Sequence, residues 1–400
     1  MIRFAIALTA IGFFFAAVDF DLRGQDGKMV RGKTSGAKTI SQEDVENEAT
    51  SYRDFKTNGR LVLGTQENYS ASVRVGDLDN DKDLDIVVAN GRHWPQQNFL
   101  LLNQGQSRFT VQRRLGTDLM TSYATEIADL DGDGDLDIAV GNDNAPNLVH
   151  LNDGKGNFGP GKQFGVPTSV RSLTLADIDG DGDVDILSTC RGRPNQIYLN
   201  DGAANFGSGK PFGRKTDSTI DVAVGDVNLD GNLDLVLANR DSQQNEVLLN
   251  DGKLHFDKKI PFGAANEQTR GVAIADLNSD GHPDLVAGNI GQPNRIYWGD
   301  GGGGFSKGVE LGRKDGATYA LAVADMDLDG DLDLIVANRG QQSSVYFNNN
   351  GGKEFVEVRF GDVANITYGL AVGDLNGDKF PDIVLANSGS ANQIYLSVSR

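Results

Sequence analysis

Between Asp77 and Asn387, short apolar runs and acidic loops alternate seven times. Each unit opens on an apolar run, passes through Asp-x-Asp/Asn-x-Asp-x-x-x-Asp, and resumes a second apolar run that usually ends in Ala-Asn. In the second unit, the alternation of Tyr123-Ala-Thr-Glu-Ile-Ala-Asp129 predicts strand A. Leu136–Asn142 reads as strand B, Leu148–Asn152 as strand C and Asn157–Phe164 as strand D. Asn152-Asp-Gly-Lys-Gly-Asn157 supplies a tight C–D turn that recurs as Asn200-Asp-Gly and Asn250-Asp-Gly. Four antiparallel strands per unit without helical periodicity predict an all-β chain of propeller blades.

The units begin at Asp77, Asp129, Asp177, Asp226, Asp276, Asp325 and Asp374, a period of about 50 residues that marks a stacked repeat architecture. The expectation is a single seven-bladed β-propeller over residues 54–400, with its acidic loops between strands A and B. One residue before each first Asp stand Gly76, Ala128, Ala176, Gly225, Ala275, Ala324 and Gly373, and the residue before that is always Val, Ile or Leu. Small side chains on one side and branched ones on the other suit innermost strands crowded around an axis. Strand D ends in Phe-Gly or Leu-Gly in six units, and the seventh such pair, Leu63-Gly64, precedes the first loop. The segment from Phe55 to Leu63 is therefore expected to complete the last blade as its D strand, leaving no open edge.

Residues 1–18 pair Arg3 with an apolar stretch, which reads as a signal peptide or, if uncleaved, an anchor. Residues 19–53 are polar and read as a flexible linker. The expected location is extracellular, at the cell surface or in the periplasm. Net charge is -19, concentrated in the repeated loops, which argues against nucleic acid or an anionic membrane as partner. The single cysteine, Cys190, permits no intramolecular disulfide, and a monomer held by packing and metal is expected.

Oxygen ligands at loop positions 1, 3, 5 and 9 can wrap a hard cation. In order, they are Asp77, Asp79, Asp81 and Asp85; Asp129, Asp131, Asp133 and Asp137; Asp177, Asp179, Asp181 and Asp185; Asp226, Asn228, Asp230 and Asp234. The last three loops give Asp276, Asn278, Asp280 and Asp284; Asp325, Asp327, Asp329 and Asp333; Asp374, Asn376, Asp378 and Asp382. Position 7 (Asp83, Asp135, Asp183, Asn232, His282, Asp331, Phe380) varies, as a residue offering only its backbone carbonyl can. An all-oxygen set favours up to seven structural Ca2+ ions over Zn2+, each stabilising the fold by roughly 1–3 kcal/mol when free calcium is ten to a hundred times the dissociation constant. An EF-hand is excluded, because position 12 is apolar, as at Val88 and Val140. Lys82 and Lys379 stand at position 6, where a left-handed turn favours glycine, and the Asp374 loop is expected to bind weakest.

The loops, the Asn-Asp-Gly turns and the Phe-Gly endings resemble FG-GAP/VCBS repeats, the family of the integrin alpha-subunit propellers. The resemblance runs from about Phe55 to Arg400 and implies a seven-bladed fold with calcium ligands at positions 1, 3, 5, 7 and 9. The fold serves adhesion modules, lectins and polysaccharide lyases alike, so function does not follow from it.

A ligand would sit on the face opposite the acidic loops. Tyr123, Arg171, Arg270, Tyr319 and Tyr368 stand at the mouth of the axial channel, and Arg191, Arg240 and Arg339 just after strand B. The first unit adds Arg92, His93 and Trp94 in its B–C loop. Arginine forks and aromatic faces suit carboxylated or sulfated sugars and acidic peptide segments. The favoured reading is a non-catalytic binding or adhesion module for extracellular polysaccharide or protein. The alternative is a polysaccharide lyase or related carbohydrate-active enzyme, using Tyr123 or His93 as base beside Arg171.

Overall fold

A computed structural model describes residues 52–64 and 67–400. The segment read as signal peptide, and all of the linker but Tyr52 and Arg53, lie outside the described residues. Among the described residues every regular element is a strand. They form seven sheets, six of four strands in sequence order A-B-C-D; the first comprises Ser70–Gly76, Asp85–Asn90, Gln96–Leu102 and Val111–Met120. Strands A of successive blades pack against one another, and the seventh (Thr367–Gly373) packs against the first, which completes a seven-bladed ring.

The small and branched columns mesh between blades. A Cβ on Gly76 would lie 2.5 Å from Ile127 Cδ1, one on Gly225 would lie 3.1 Å from Ile274 Cδ1, and one on Gly373 would lie 3.1 Å from Val75 Cγ2. The branched residue of each next blade thus occupies the space that the small residue leaves. The Phe-Gly endings have a partner that the repeat pattern does not reveal. Phe164, Phe262 and Phe360 meet Tyr198, Tyr297 and Tyr395 of the following blade edge-on, with centroids 5.2–5.6 Å apart. Each such pair adds about 0.5–1.5 kcal/mol beyond its burial.

Strand D of the second blade is Lys162–Phe164, shorter than the expected run from Asn157. Asp153 Oδ1 accepts the amides of Lys155 and Asn157, and this holds the preceding residues as a turn. In the seventh blade two short strands, Arg53–Lys56 and Val62–Leu63, both pair antiparallel with Asn392–Ser399. Phe55 stacks on Phe347 and meets Phe360 at a tilt, both in the sixth blade.

On the face opposite the acidic loops, a polar relay links the blades. Ser70 Oγ donates to Asn90 Oδ1 (2.7 Å), and Asn90 N donates to Asn98 Oδ1 (2.8 Å). Asn98 Nδ2 then donates to Ser122 Oγ of the second blade (2.8 Å). Asn392 Nδ2 returns the relay from the seventh blade to Ser70 Oγ (3.0 Å). It breaks at the third blade, where Val170 replaces the hydroxyl and Cys190 the asparagine, leaving Asn147 Nδ2 buried without a partner, and again after the fifth and sixth blades, where Asn294 makes no bond to Thr318 and Ser343 replaces the linking asparagine. Introducing Val170→Thr and Cys190→Asn together should restore the link between the second and third blades and raise stability by about 1 kcal/mol, seen as a higher urea midpoint. An unchanged or lower midpoint would show that the orphaned amide costs nothing.

Candidate metal centres and axial surface

Each acidic loop is folded by its own carboxylates. At position 1, Asp129 Oδ1 accepts Gly132 N (2.7 Å) and Oδ2 accepts Gly134 N (3.0 Å); Asp177 treats Gly180 and Gly182 the same way. Position 5 caps position 7, as Asp133 Oδ1 accepts Asp135 N at 2.9 Å. Two left-handed residues complete the turn. Position 6 is left-handed as expected, including Lys82 (φ 76) and Lys379 (φ 80). Position 4 is left-handed too, even at Leu229, Ser279 and Leu328, which sequence reasoning missed. A side chain that recurs as Asn, Gly, Gly, Leu, Ser, Leu and Gly carries no single conformational signal.

Position 9 is the buried clasp of the blade. Asp85 Oδ2 accepts Leu78 N (3.0 Å) within the loop, and Oδ1 accepts Asn103 N (2.7 Å) at the end of strand C. The pattern recurs through Asp137, Asp185, Asp234, Asp284, Asp333 and Asp382. Burial outweighs these hydrogen bonds and pushes Asp85, Asp185, Asp234 and Asp382 up to about 7, Asp137 and Asp284 to about 6, and Asp333 to about 8. Neighbouring carboxylates of the same loop add to the rise.

In four loops, carboxylate oxygens of positions 1, 3 and 9 lie within 4.8 Å of one another: Asp77, Asp79 and Asp85; Asp129, Asp131 and Asp137; Asp177, Asp179 and Asp185; Asp325, Asp327 and Asp333. Asp79 Oδ1, Asp131 Oδ1 and Asp327 Oδ1 are buried without any hydrogen-bond partner. A hard cation ligated by oxygen fits this donor set, since it would give those oxygens their missing counter-charge. Position 7 turns its side chain away. A Cβ on Gly154 of the C–D turn would lie 2.5 Å from Asp135 Oδ2, and one on Gly202 would lie 2.8 Å from Asp183 Oδ1. In the other three loops, the amides of Asn228, Asn278 and Asn376 donate to Asp230, Asp280 and Asp378 and satisfy position 5 internally.

The opposite face gathers the other predicted residues around the axis. His93 Nδ1 lies 3.0 Å from Tyr123 Oη, and Arg171 stacks over the Tyr123 ring at 4.3 Å. Arg92 stacks over Tyr368 at 3.8 Å, and Tyr368 meets Tyr319 edge-on at 4.8 Å. Arg270 and Arg339 lie 5.8 and 5.7 Å from the Tyr319 centroid, and Arg339 Nη1 donates to Tyr319 Oη at 3.1 Å. Arg171 pairs with Asp143 at 3.5 Å and Arg191 with Asp241 at 2.8 Å. Arg92 Nε and Arg240 Nε are buried without partners. Trp94 is 66% exposed. Burial lowers His93 and raises Tyr123, so both are neutral near pH 7.

Deeper in the axis lies a charged cluster that sequence reasoning missed. Arg74 Nε donates to Glu126 Oε2 at 2.7 Å, with a second contact between the same pair, and Asp221 Oδ2 accepts Val272 N at 3.2 Å. Glu126 is 3% exposed and burial raises its pKa against the pull of Arg74. Arg74, Glu126 and Asp221 stand at A-strand positions where the other units carry Gly, Ala, Ser or Thr, and that was the available signal.

Two outcomes follow for the loops. Asp327→Ala should remove one calcium from the stoichiometry found by calorimetric titration and about 1–3 kcal/mol of calcium-dependent stability, while Asn376→Ala should change neither measurably. Equal effects would mean that the converging carboxylates do not discriminate between loops. Without metal, the position 9 carboxyls are protonated in the fold but ionised in the unfolded chain above about pH 4. Their contribution is full below that pH and is lost as pH rises through about 7. EDTA-stripped protein should therefore melt lower at pH 8 than at pH 5, and calcium should recover the difference, since binding needs the ionised form. A stripped protein that melts higher at pH 8 would contradict this sign.

Structural comparison agrees on the fold. The propeller superposes on BBS1N, solved in complex with ARL6DN in a crystal soaked with mercury, with TM-score 0.60 and 14% identity over 86% of this chain and 98% of that one. It also superposes on the BP39L lectin of Burkholderia pseudomallei, with TM-score 0.63 and 11% identity over 82% and 96% of the two chains. No curated protein matches in sequence. The FG-GAP-like repeat matches six overlapping stretches, 77–140, 129–188, 177–237, 226–287, 276–336 and 325–385. With most of its length covered by these matches and the propeller they predict, the chain belongs to the FG-GAP repeat family.

Proposed function

We propose that this chain is a calcium-stabilised extracellular binding module that holds an anionic polysaccharide on its axial arginine–tyrosine surface without transforming it. The observation that carries the reading is a concentration of cations in a chain of net charge -19. Arg92, Arg240, Arg270 and Arg339 have no carboxylate within ion-pair distance among the described residues, and two of them keep a buried Nε unpartnered. Tyr123 and Tyr368 are buried to 8% exposure and brace the guanidinium planes above them. Such planes present forked donors that match carboxylate or sulfate oxygens. The likeness to a lectin and to a propeller in complex with a protein supports a binding role at the level of fold.

Calcium is the proposed cation of the four convergent loops, and weaker occupancy is proposed for the other three. The two N-terminal strands act as a clasp, because they cover the edge that the last strand would otherwise expose. Export through residues 1–18 would bring the loops to millimolar calcium.

The contact between His93 and Tyr123 gives the enzymatic reading a specific basis, since a neutral imidazole beside a phenol and Arg171 resembles a proton-transfer site. Against it, Tyr123 is buried under Arg171, and burial raises its pKa and so disfavours the ionised phenolate that a base would need. Binding to immobilised heparin and polygalacturonate separates the readings. The intact protein should be retained, and Arg92→Ala with Arg240→Ala should weaken retention at least tenfold without lowering the melting temperature. Unsaturated products absorbing in the ultraviolet, lost in His93→Ala, would replace binding by lyase chemistry.

A further inference from the structure

A cleft of about 310 Å³ opens between the fifth and sixth blades, beside the B–C and D–A loops. Its cause is a substitution between repeats. Residues of the two blades correspond at the spacing of Asp276 and Asp325, so each cleft position has a counterpart one blade earlier. There, Glu267 is 1% exposed and fills the space. Its carboxylate accepts from Tyr297 Oη (2.7 Å), Arg295 Nη1 (3.1 Å) and Asn245 Nδ2 (3.4 Å).

In the sixth blade, Gly316 stands where Glu267 would be. The walls remain, with Asn294 for Asn245 and Tyr346 for Tyr297. Asn294 is 5% exposed and its Oδ1 accepts Asn289 N, but among the described residues its Nδ2 reaches no acceptor. Two more exchanges add positive charge, Arg313 for Ala264 and Arg359 for Glu310, while Ser344 stands in place of Arg295. Glu357 contributes one carboxylate from strand D, already engaged by Tyr346 Oη (3.1 Å), Ser344 Oγ (2.8 Å) and Arg359 Nη2 (2.8 Å). Arg313 forks onto Asp315 on the surface through Nε (2.8 Å) and Nη2 (3.0 Å). Both arginines are more than half exposed, which leaves their remaining donors open to a ligand from the solvent side.

We propose that this cleft binds a carboxylate on a small hydroxylated carrier, the chemistry of a single hexuronate residue. Asn294, Arg313 and Arg359 take the carboxylate that Glu267 supplies internally one blade earlier. The volume lies at the lower end of small-molecule sites, which suits one sugar residue. Gln341 and Gln342, whose Nε2 groups donate to Asp315 O (3.0 Å) and Gly361 O (3.2 Å), offer their Oε1 atoms to the hydroxyls, and Leu311 and Val363 offer apolar surface to the C–H face. The site is separate from the axial arginines and does not depend on them.

Saturation-transfer NMR titrations of the intact, calcium-loaded protein with sodium D-glucuronate and with D-glucose test the assignment. Glucuronate should bind and glucose should not. Arg313→Ala with Arg359→Glu, which installs the fifth-blade residues at both positions, should weaken glucuronate at least tenfold and leave the melting temperature unchanged. Arg92→Ala with Arg240→Ala should leave glucuronate binding intact. Failure of glucuronate to bind, equal binding of glucose, or wild-type affinity in the cleft variant overturns the proposal. Loss only in the axial variant also overturns it, while leaving the axial reading standing.

Discussion

Mutual repulsion among carboxylates is the constraint on which the rest of this propeller depends. Four of its loops bring at least three acidic side chains within 4.8 Å, and in each the last of them is sealed from water. Such groups stay ionised only if a counter-charge joins them; otherwise they take up protons, as the raised values at position 9 indicate. The same buried carboxylate holds the A–B loop to the end of strand C through two backbone amides. Charge neutralisation and blade architecture are therefore one problem with one solution, repeated around the ring.

This arrangement separates the two faces. The acidic face is nearly invariant between repeats, because each loop must satisfy the same turn and the same clasp. The opposite face carries only the relay of hydroxyls and asparagines that spaces the blades, so its B–C and D–A loops can differ from copy to copy. Arg92, Arg240 and Arg339 and the open space above Gly316 are such differences, and Arg171 and Arg270 join them from the starts of their A strands. The buried clasp recurs in every blade, and the larger differences between copies gather on the opposite face.

The sequence revealed most where one requirement repeats. The seven-fold period, the small and branched columns and the left-handed position 6 were legible, because the same backbone problem met the same side chain in each copy. The axial cluster was legible as a set of positions, but not as the stacked pairs of Arg171 on Tyr123 and Arg92 on Tyr368, which join different blades. Features confined to one or two copies escaped. Arg74 and Glu126 neutralise one another across a blade boundary, and Asn147 lost its partner through changes at Val170 and Cys190. Trp94, conspicuous in sequence, is exposed on its loop. The difference between Asp and Asn at position 3 was visible as charge, but its consequence, an internal bond to position 5, required coordinates.

The most direct test of the central claim is anomalous diffraction from crystals grown in calcium chloride, recorded at a wavelength where calcium scatters anomalously. Peaks should appear among Asp77, Asp79 and Asp85, and in the loops beginning at Asp129, Asp177 and Asp325, stronger there than at Asp226, Asp276 or Asp374. Flat anomalous density in those four loops at saturating calcium would contradict the account.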